Sequence, residues 1–209
     1  MKREKKQLER NRKVSSISGI ALIVLLAGFL LFMIFSVRPL LTRLEDIRNH
    51  PFQVMDAGGR LRNDVDNVRI SFEQLRHINT PEVVADVREQ IQVFYEDAET
   101  RLDIIEACYL GDPEEVSALR ELMAQMQQEQ DEFLDYAAAD SRSEEEIVSY
   151  STAHLEEVNE AFDQQLRGIL DYAGDKFDYF YEQAKYTGLY SITVSCIIFV
   201  AVVAVMLLY

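Results

Sequence analysis

The chain has 209 residues, of which 48% are hydrophobic and 27% are charged, and its formal net charge is −15. This length suits about one ordinary domain, since domains span roughly 100–200 residues. The acidic surplus argues against a nucleic-acid partner, because an acidic surface repels the phosphate backbone.

The first feature along the chain is a basic tail followed by a long apolar segment. No charged residue lies between Lys13 and Arg38, and a helix needs about 20 apolar residues to cross the hydrocarbon core of a bilayer. We therefore predict a transmembrane helix over residues 14–37. A cleavable signal peptide is the alternative, but its apolar region is usually about 7–15 residues long and ends in a small-residue cleavage site. This segment is longer and lacks such a site, which favours an uncleaved anchor.

Charge predicts the orientation of this anchor. The tail, residues 1–13, contains seven basic and two acidic residues, and positively charged flanks stay on the cytoplasmic side. A second uncharged run follows Lys185 and continues to Tyr209, which predicts a second transmembrane helix over residues 187–209. We therefore expect a two-pass protein of the cell membrane, with the lipid bilayer as a partner, a cytoplasmic N-terminus and residues 38–186 outside the cytoplasm.

Residues 38–186 contain helix-start signals at regular intervals. An N-cap side chain satisfies a free amide at the start of a helix, and proline is favoured at the first helical position. Three sites have such signals, two of them with a glutamate three residues later that suits a reciprocal capping box: Thr80-Pro81, Asp112-Pro113 with Glu115, and Ser143 with Glu146. A break is expected near His50-Pro51, because proline lacks the amide donor and clashes with the preceding turn.

These boundaries predict a simple helical fold. Short loops between helices favour antiparallel neighbours. An even number of such helices also returns the chain to the membrane face that it left. The fold class is therefore all-α, an antiparallel four-helix bundle flanked by two transmembrane helices. The four bundle helices are predicted at about 40–77, 81–108, 113–139 and 143–186.

Apolar residues on each predicted helix recur at intervals of three, four and seven, which indicates a stripe buried against partner helices. On the first helix the stripe runs from Val54 to Leu75. On the third it runs from Val116 to Ala137. The second and fourth stripes include residues whose burial is tested below: Val84, Val87, Ile91, Phe94 and Ala98 on the second helix, and Ala173, Phe177 and Phe180 on the fourth.

Two segments resemble a known family. The sequence HPFQVMDAGGRLRNDVD at residues 50–66 and LDIIEACYLGDPEEV at residues 102–116 resemble the four-helix-bundle sensor domain of methyl-accepting chemotaxis receptors. In that family the bundle lies upstream of chemotaxis signalling coils, histidine kinases or diguanylate cyclases. The resemblance implies a homodimeric sensor that uses chemotaxis or two-component signalling. It also leads us to expect that the chain is the N-terminal part of a longer receptor.

Four arginines lie on the first bundle helix: Arg60, Arg62, Arg69 and Arg76. The last three recur every seven residues and therefore follow one side of a helix. The resemblance implies that arginines here bind a small anionic ligand, to which guanidinium groups form bidentate hydrogen bonds. Arg62, Arg69 and Arg76 are the candidate ligand-binding residues, and Arg69 and Arg76 are preferred. The alternative is pairing with the many carboxylates of the bundle.

Motifs of catalysis and metal binding are absent from the sequence. It has no Gly-rich phosphate loop, no CxxC, no HExxH and no ExxH pair. The three histidines, His50, His77 and His154, are too dispersed to form a metal site. The acidic groups at residues 131–135 and 144–146 suit a solvated helix face and a helix N-terminus better than a calcium loop. We predict no catalytic residue, no metal, no cofactor and no enzyme activity.

These observations predict the sensing and membrane-anchoring part of a bacterial transmembrane signal-transduction receptor. A stimulus outside the cytoplasm would be relayed by helix movement to a cytoplasmic output module missing from this chain. The alternative is a complete two-pass adaptor or structural protein that docks an extracytoplasmic protein partner through its bundle. A bundle enzyme or metal carrier is a third class, which the missing motifs disfavour.

Overall fold

A computed structural model describes residues 2–77, 80–139 and 142–208 of the chain. Within these ranges the chain is helical and contains no strand, so the all-α prediction is confirmed. Contacts divide the chain into two units, a core unit (Asp46–Asp178) and an apolar unit (Met1–Glu45 with Tyr179–Tyr209). The helices are α1 (Lys2–Asn49), α2 (Pro51–His77), α3 (Pro81–Cys108), α4 (Pro113–Ala138) and α5 (Glu144–Leu208).

Three predicted helix boundaries are confirmed in detail. α1 ends at Asn49 and α2 begins at Pro51, because Pro51 has no amide hydrogen to continue the helical hydrogen bonding. At the start of α5, the Ser143 amide donates to Glu146 Oε2 at 2.9 Å and the Glu146 amide donates to Ser143 Oγ at 3.3 Å. This reciprocal pair is the predicted capping box. Thr80 also caps α3, since its hydroxyl oxygen accepts from the Val83 amide at 3.4 Å.

The predicted capping box at the start of α4 is wrong in one part. Asp112 accepts from the Glu114 amide at 3.0 Å and so caps the helix. The Glu115 carboxylate does not return to Asp112 but accepts from the Tyr109 hydroxyl. The turn brings the Tyr109 ring over Gly111, where an added Cβ would lie within 2.5 Å of the ring. This close approach places the phenol beside the first turn of α4, where its hydroxyl donates to the Glu115 carboxylate.

The core unit is built from the apolar stripes. All six predicted inward residues of α2 are buried: Val54, Leu61, Val65, Val68, Phe72 and Leu75.

Two stripe predictions need correction. On α3, Tyr95 is the buried aromatic residue and Phe94 is only partly buried. On α5, burial in the core unit continues to Ala173, whereas Phe177 and Phe180 are half-exposed. The Tyr172 hydroxyl donates to the carbonyl of Leu110 in the turn that joins α3 to α4. The turn between α3 and α4 therefore lies at the level of Tyr172 on α5.

Side-chain pairs between neighbouring helices join rising residue numbers on one helix to falling residue numbers on the next. Arg88 of α3 bonds Asp135 of α4 at 2.6 Å, and Asp103 of α3 accepts from Arg120 of α4 at 2.9 Å. Residue numbers therefore rise along α3 as they fall along α4. The same order links α4 to α5, where Phe133 contacts Tyr150 and the Glu115 carbonyl accepts from Gln165 at 2.9 Å.

The apolar unit contains two helices that are long and apolar enough to cross a membrane. Their apolar side chains are exposed rather than packed in a core, as for Phe35 on α1 and Ile192 on α5. The Ser195 hydroxyl donates to the sulfur of Met33 at 3.1 Å, which joins the two helices within this unit. Exposed apolar surface of this extent is typical of a helix that lies in lipid.

Candidate functional site

A cavity of about 390 Å³ lies in the core unit between α2 and α5. Its lining combines an apolar part, Phe72, Phe133 and Leu155, with charged and polar side chains. Pockets that bind small molecules typically have about this volume, with mainly apolar walls and a few polar groups. The charged and polar lining residues are Arg69, Glu73, Ser151, Thr152, Glu156, Asn159, Glu160 and Asp163.

Arg69 is the central polar side chain of the cavity, and it is held by α5. Its two terminal nitrogens each donate to one oxygen of Asp163 at 3.0 Å, which forms a bidentate pair. It also donates to Asp66 at 3.2 Å and to the Asn159 carbonyl at 3.3 Å. The Arg69 and Asp163 side chains are 28% and 29% exposed, so solvent only partly screens this pair. Arg69 thus joins α2 to α5.

Two buried atoms in the cavity wall have no hydrogen-bond partner among the described residues. They are the Arg69 Nε donor and the Asn159 Oδ1 acceptor. A buried polar atom without a partner is destabilising, and it is rare enough in proteins to require an explanation. Both residues line the same cavity.

The other predicted arginines are placed differently. Arg62 is exposed and does not line the cavity. Arg60 forms an exposed pair with Asp56 of the preceding turn at 3.1 Å. The side chain of Arg76, like that of His77, lies outside the described residues. The structure therefore places Arg69 in a cavity and does not bring Arg62 to it, and the predicted anionic ligand stays a prediction.

A buried polar contact lies near Arg69. The Tyr95 hydroxyl of α3 donates to Gln130 Oε1 of α4 at 2.7 Å. Tyr95 is 6% exposed and Gln130 is 1% exposed, and Gln130 Nε2 has no partner in the described part of the chain. Burial raises the pKa of the Tyr95 phenol, and the charge of Asp131 adds to this, whereas the positive charge of Arg69 opposes it. The phenol therefore remains protonated and able to donate.

Stacked planar side chains link α4 and α5 at the end of the unit near residue 140. The ring of Tyr150 stacks on Tyr136 and on His154, with centroids 4.2 Å apart in both cases. The Arg142 guanidinium lies over the Tyr136 ring at 4.3 Å. His154 Nδ1 is 3.8 Å from a carboxylate oxygen of Glu129. The described residues contain no group of three or more His, Cys, Asp or Glu side chains placed to hold a metal ion.

A second arginine and carboxylate influence each other electrostatically on the opposite flank of α2. Asp64 faces Arg101 and Asp97 of α3, and burial raises the pKa of the Asp64 carboxyl while Arg101 lowers it. Its Oδ2 atom and Arg101 Nε are both buried without a hydrogen-bond partner among the described residues. Neither residue lines the cavity, so this pair of residues belongs to the packing of α2 against α3.

Sequence reasoning did not select Asn159, Asp163 or Gln130. Gln130 carries a detectable signal, because it is a polar residue at an inward position between Met126 and Phe133. Asp163 follows the buried Phe162 directly and is one of many acidic residues on α5. Nothing in its spacing distinguishes it from the others.

No protein-family model, curated protein or solved structure matches the chain.

Proposed function

We propose that the chain is the sensing and membrane-anchoring part of a bacterial transmembrane signal-transduction receptor. In this proposal residues 14–37 and 187–209 cross the cell membrane, the N-terminus is cytoplasmic, and residues 38–186 form an antiparallel four-helix bundle outside the cytoplasm. The opposite order of residue numbers in the pairs between α3 and α4, and between α4 and α5, supports the antiparallel arrangement. The exposed apolar helices of the other unit support the membrane anchor.

One observation carries the proposal: a single helix, α5, contains both cavity residues and the second apolar segment. This helix, Glu144–Leu208, contributes the cavity residues between 151 and 163 and also the second apolar segment. A ligand in the cavity would change the contacts of α5 with α2, where Arg69 bonds Asp163. Packed helices respond to such changes by displacements of about 1–2 Å. The same helix would deliver that displacement to the membrane, and an output module on the cytoplasmic side would receive it.

A homodimer is part of the proposal, since a helix displacement needs a second surface against which it is registered. Phe52 and Ile70 of α2 are 51% and 59% exposed. They are 18 residues apart, which is about five helical turns, so both lie on the same side of α2. The buried stripe from Val54 to Leu75 lies on the other side. Exposed apolar side chains on this side of α2 suit contact with another copy of the helix.

A hybrid receptor tests the sensing proposal. The chain is joined after α5 to the cytoplasmic half of a characterised sensor kinase, and a transcriptional reporter measures its output in cells. Arg69→Ala and Asp163→Asn each break the α2–α5 pair, and we expect both to shift the basal output in the same direction. Asp163→Asn keeps the side-chain shape, so it serves if Arg69→Ala does not accumulate.

The matched controls for the hybrid receptor are Arg60→Ala and Asp56→Asn. These two side chains form an ion pair within α2 and are 59% and 49% exposed. We expect no change of output from either control. If the cavity variants also leave the output unchanged while the protein reaches the membrane in normal amounts, the sensing proposal is wrong. The two-pass adaptor that docks a protein partner would then be the better reading.

A further inference from the structure

The charge of the cavity between α2 and α5 opposes an anionic ligand. Four carboxylates line it, against the single guanidinium of Arg69. That guanidinium already has Asp163 as a bidentate partner and Asp66 as another. An anion would have to displace Asp163 and would meet the remaining carboxylates, and like charges at close range repel each other. Glu156 and Glu160 form no ion pair with any described residue and are exposed to an incoming cation.

The cavity lining extends along α5 for several helical turns. It includes residues from Ser151 to Asp163 on one side of the helix, a length of about 18 Å at 1.5 Å per residue. Glu156 and Glu160 are one turn apart, about 6 Å along the helix axis. A linear aliphatic chain with ammonium groups separated by a few methylenes matches carboxylates at this interval.

The floor of the cavity suits the uncharged parts of such a chain. Leu155 and Phe133 are buried, and Phe72 meets Phe133 edge to face with ring centroids 5.2 Å apart. Methylene groups gain by leaving water for such a surface. Asn159 Oδ1 lies one turn from Leu155 and is a buried acceptor without a partner in the described part of the chain. An ammonium or secondary amine is a donor that would satisfy it.

We propose that this cavity binds a linear aliphatic polyamine. The ammonium groups pair with Glu156 and Glu160, an amine N–H donates to Asn159 Oδ1, and the methylenes lie against Phe72 and Leu155. The inference rests on the proposed sensing function, because it names the chemical class of the stimulus that this cavity receives. It differs from the anionic ligand that the resemblance implies.

Calorimetric titration of the full chain tests the proposal. The protein is held in nanodiscs of uncharged phosphatidylcholine, so that the lipid does not attract the probe, and spermidine is the probe. We expect saturable binding that weakens as salt is added, since salt screens charge pairs. Glu156→Gln combined with Glu160→Gln should weaken binding by about tenfold or more, the usual effect of removing partners of a bound charge.

The matched control is Asp171→Asn combined with Asp175→Asn. These residues are also exposed, four residues apart and on α5, but they do not line the cavity. We expect the control to bind spermidine within about twofold of the unaltered chain, as for distant exposed charges. Equal weakening by the control would mean unspecific attraction to an acidic surface and would overturn the proposal. No saturable binding of spermidine, or preferred binding of succinate, would overturn it as well.

The titration tests the ligand class and the hybrid receptor tests signalling, so either proposal can be wrong while the other stands. If spermidine does not bind while Arg69→Ala and Asp163→Asn still shift the reporter, the ligand class is wrong and the sensing proposal stands. If spermidine binds as expected while no cavity variant shifts the reporter, the chain binds polyamines without signalling.

Discussion

The Arg69 side chain links two helices and also lines the cavity. Its terminal nitrogens are saturated by Asp163, Asp66 and the Asn159 carbonyl, so it joins α2 to α5. Its Nε atom faces no partner in the described part of the chain. A guanidinium that is nearly saturated by protein groups acts mainly as a structural link. The ligand-facing groups of the cavity are then the carboxylates and the amide around it.

At this scale we predict that Arg69→Ala lowers the free energy of unfolding. The substitution leaves Asp163 and Asp66 close together without their shared cation. The expected loss is about 1–2 kcal/mol, between the values typical of exposed and fully buried pairs. Denaturant titration in detergent, followed by circular dichroism, measures it. Arg60→Ala is the control, and its exposed pair should change the free energy of unfolding by less than about 0.5 kcal/mol. Equal losses in both variants would contradict the prediction.

Individual helices were predicted from the sequence with good accuracy, and the reasons are local. Proline after Thr80 and Asp112, and the Ser143–Glu146 pair, define helix starts through groups within one turn of each other. Apolar spacing likewise identified the buried side of α2. The failures involve contacts that are distant in sequence or specific to one turn. The Glu115 carboxylate accepts from Tyr109 instead of returning to Asp112, and Phe177 is half-exposed rather than buried.

The cavity could not be predicted from the sequence for a related reason. Arg69 was selected by its spacing on α2, but its partner Asp163 lies 94 residues away. Several carboxylates on α5 were equally plausible partners of Arg69 from the sequence. Only the rotation of α5 relative to α2 decides which of them lies beside it. Arg62 has the same spacing and lies on the same side of α2, yet it is exposed. Periodicity predicts which side of a helix a residue lies on, but it does not predict where along the helix a cavity lies.

The capping box of α5 gives a prediction about pH. Backbone and side-chain hydrogen bonds from Ser143 lower the pKa of the Glu146 carboxyl below its ordinary value of 4.5. A lowered pKa stabilises the helix start fully above the ordinary value, and this contribution is lost as the pH falls through the lowered one. The protection factors of amides in the first turn of α5, which correct for the intrinsic pH dependence of hydrogen exchange, should therefore fall below pH 4.5 in the unaltered chain.

Glu146→Gln should remove most of this pH dependence, because the amide does not titrate. Glu145→Gln removes a neighbouring charge from the same turn and serves as the control, since Glu145 forms no contact with Ser143 among the described residues. The control should keep the pH dependence of the unaltered chain. If both variants lose it equally, the general attraction of acidic side chains to a helix N-terminus explains the effect instead.

For the whole molecule, the exposed apolar side chains of α2 lead to a prediction about assembly. In a background with Cys108→Ala and Cys196→Ser, Ile70→Cys should form a disulfide between two copies in native membranes. Val93→Cys on α3 is the matched control, because Val93 and Ile70 are 56% and 59% exposed. Non-reducing electrophoresis after mild oxidation should show dimers for the first variant alone. Equal dimer formation by both would indicate random collision and would leave the homodimer proposal without support.

The buried contact between Tyr95 and Gln130 has a consequence for the alignment of the whole core unit. Apolar seams at heptad spacing permit neighbouring helices to slide by a whole repeat with little loss, because one apolar residue replaces another. Sliding α4 along α3 would separate Gln130 from the Tyr95 hydroxyl at a cost of about 1–3 kcal/mol for each buried polar group left unpaired. The pair thus selects one register. Since α4 also supplies Phe133 to the cavity, this buried hydrogen bond helps to keep the binding surface in alignment along the bundle.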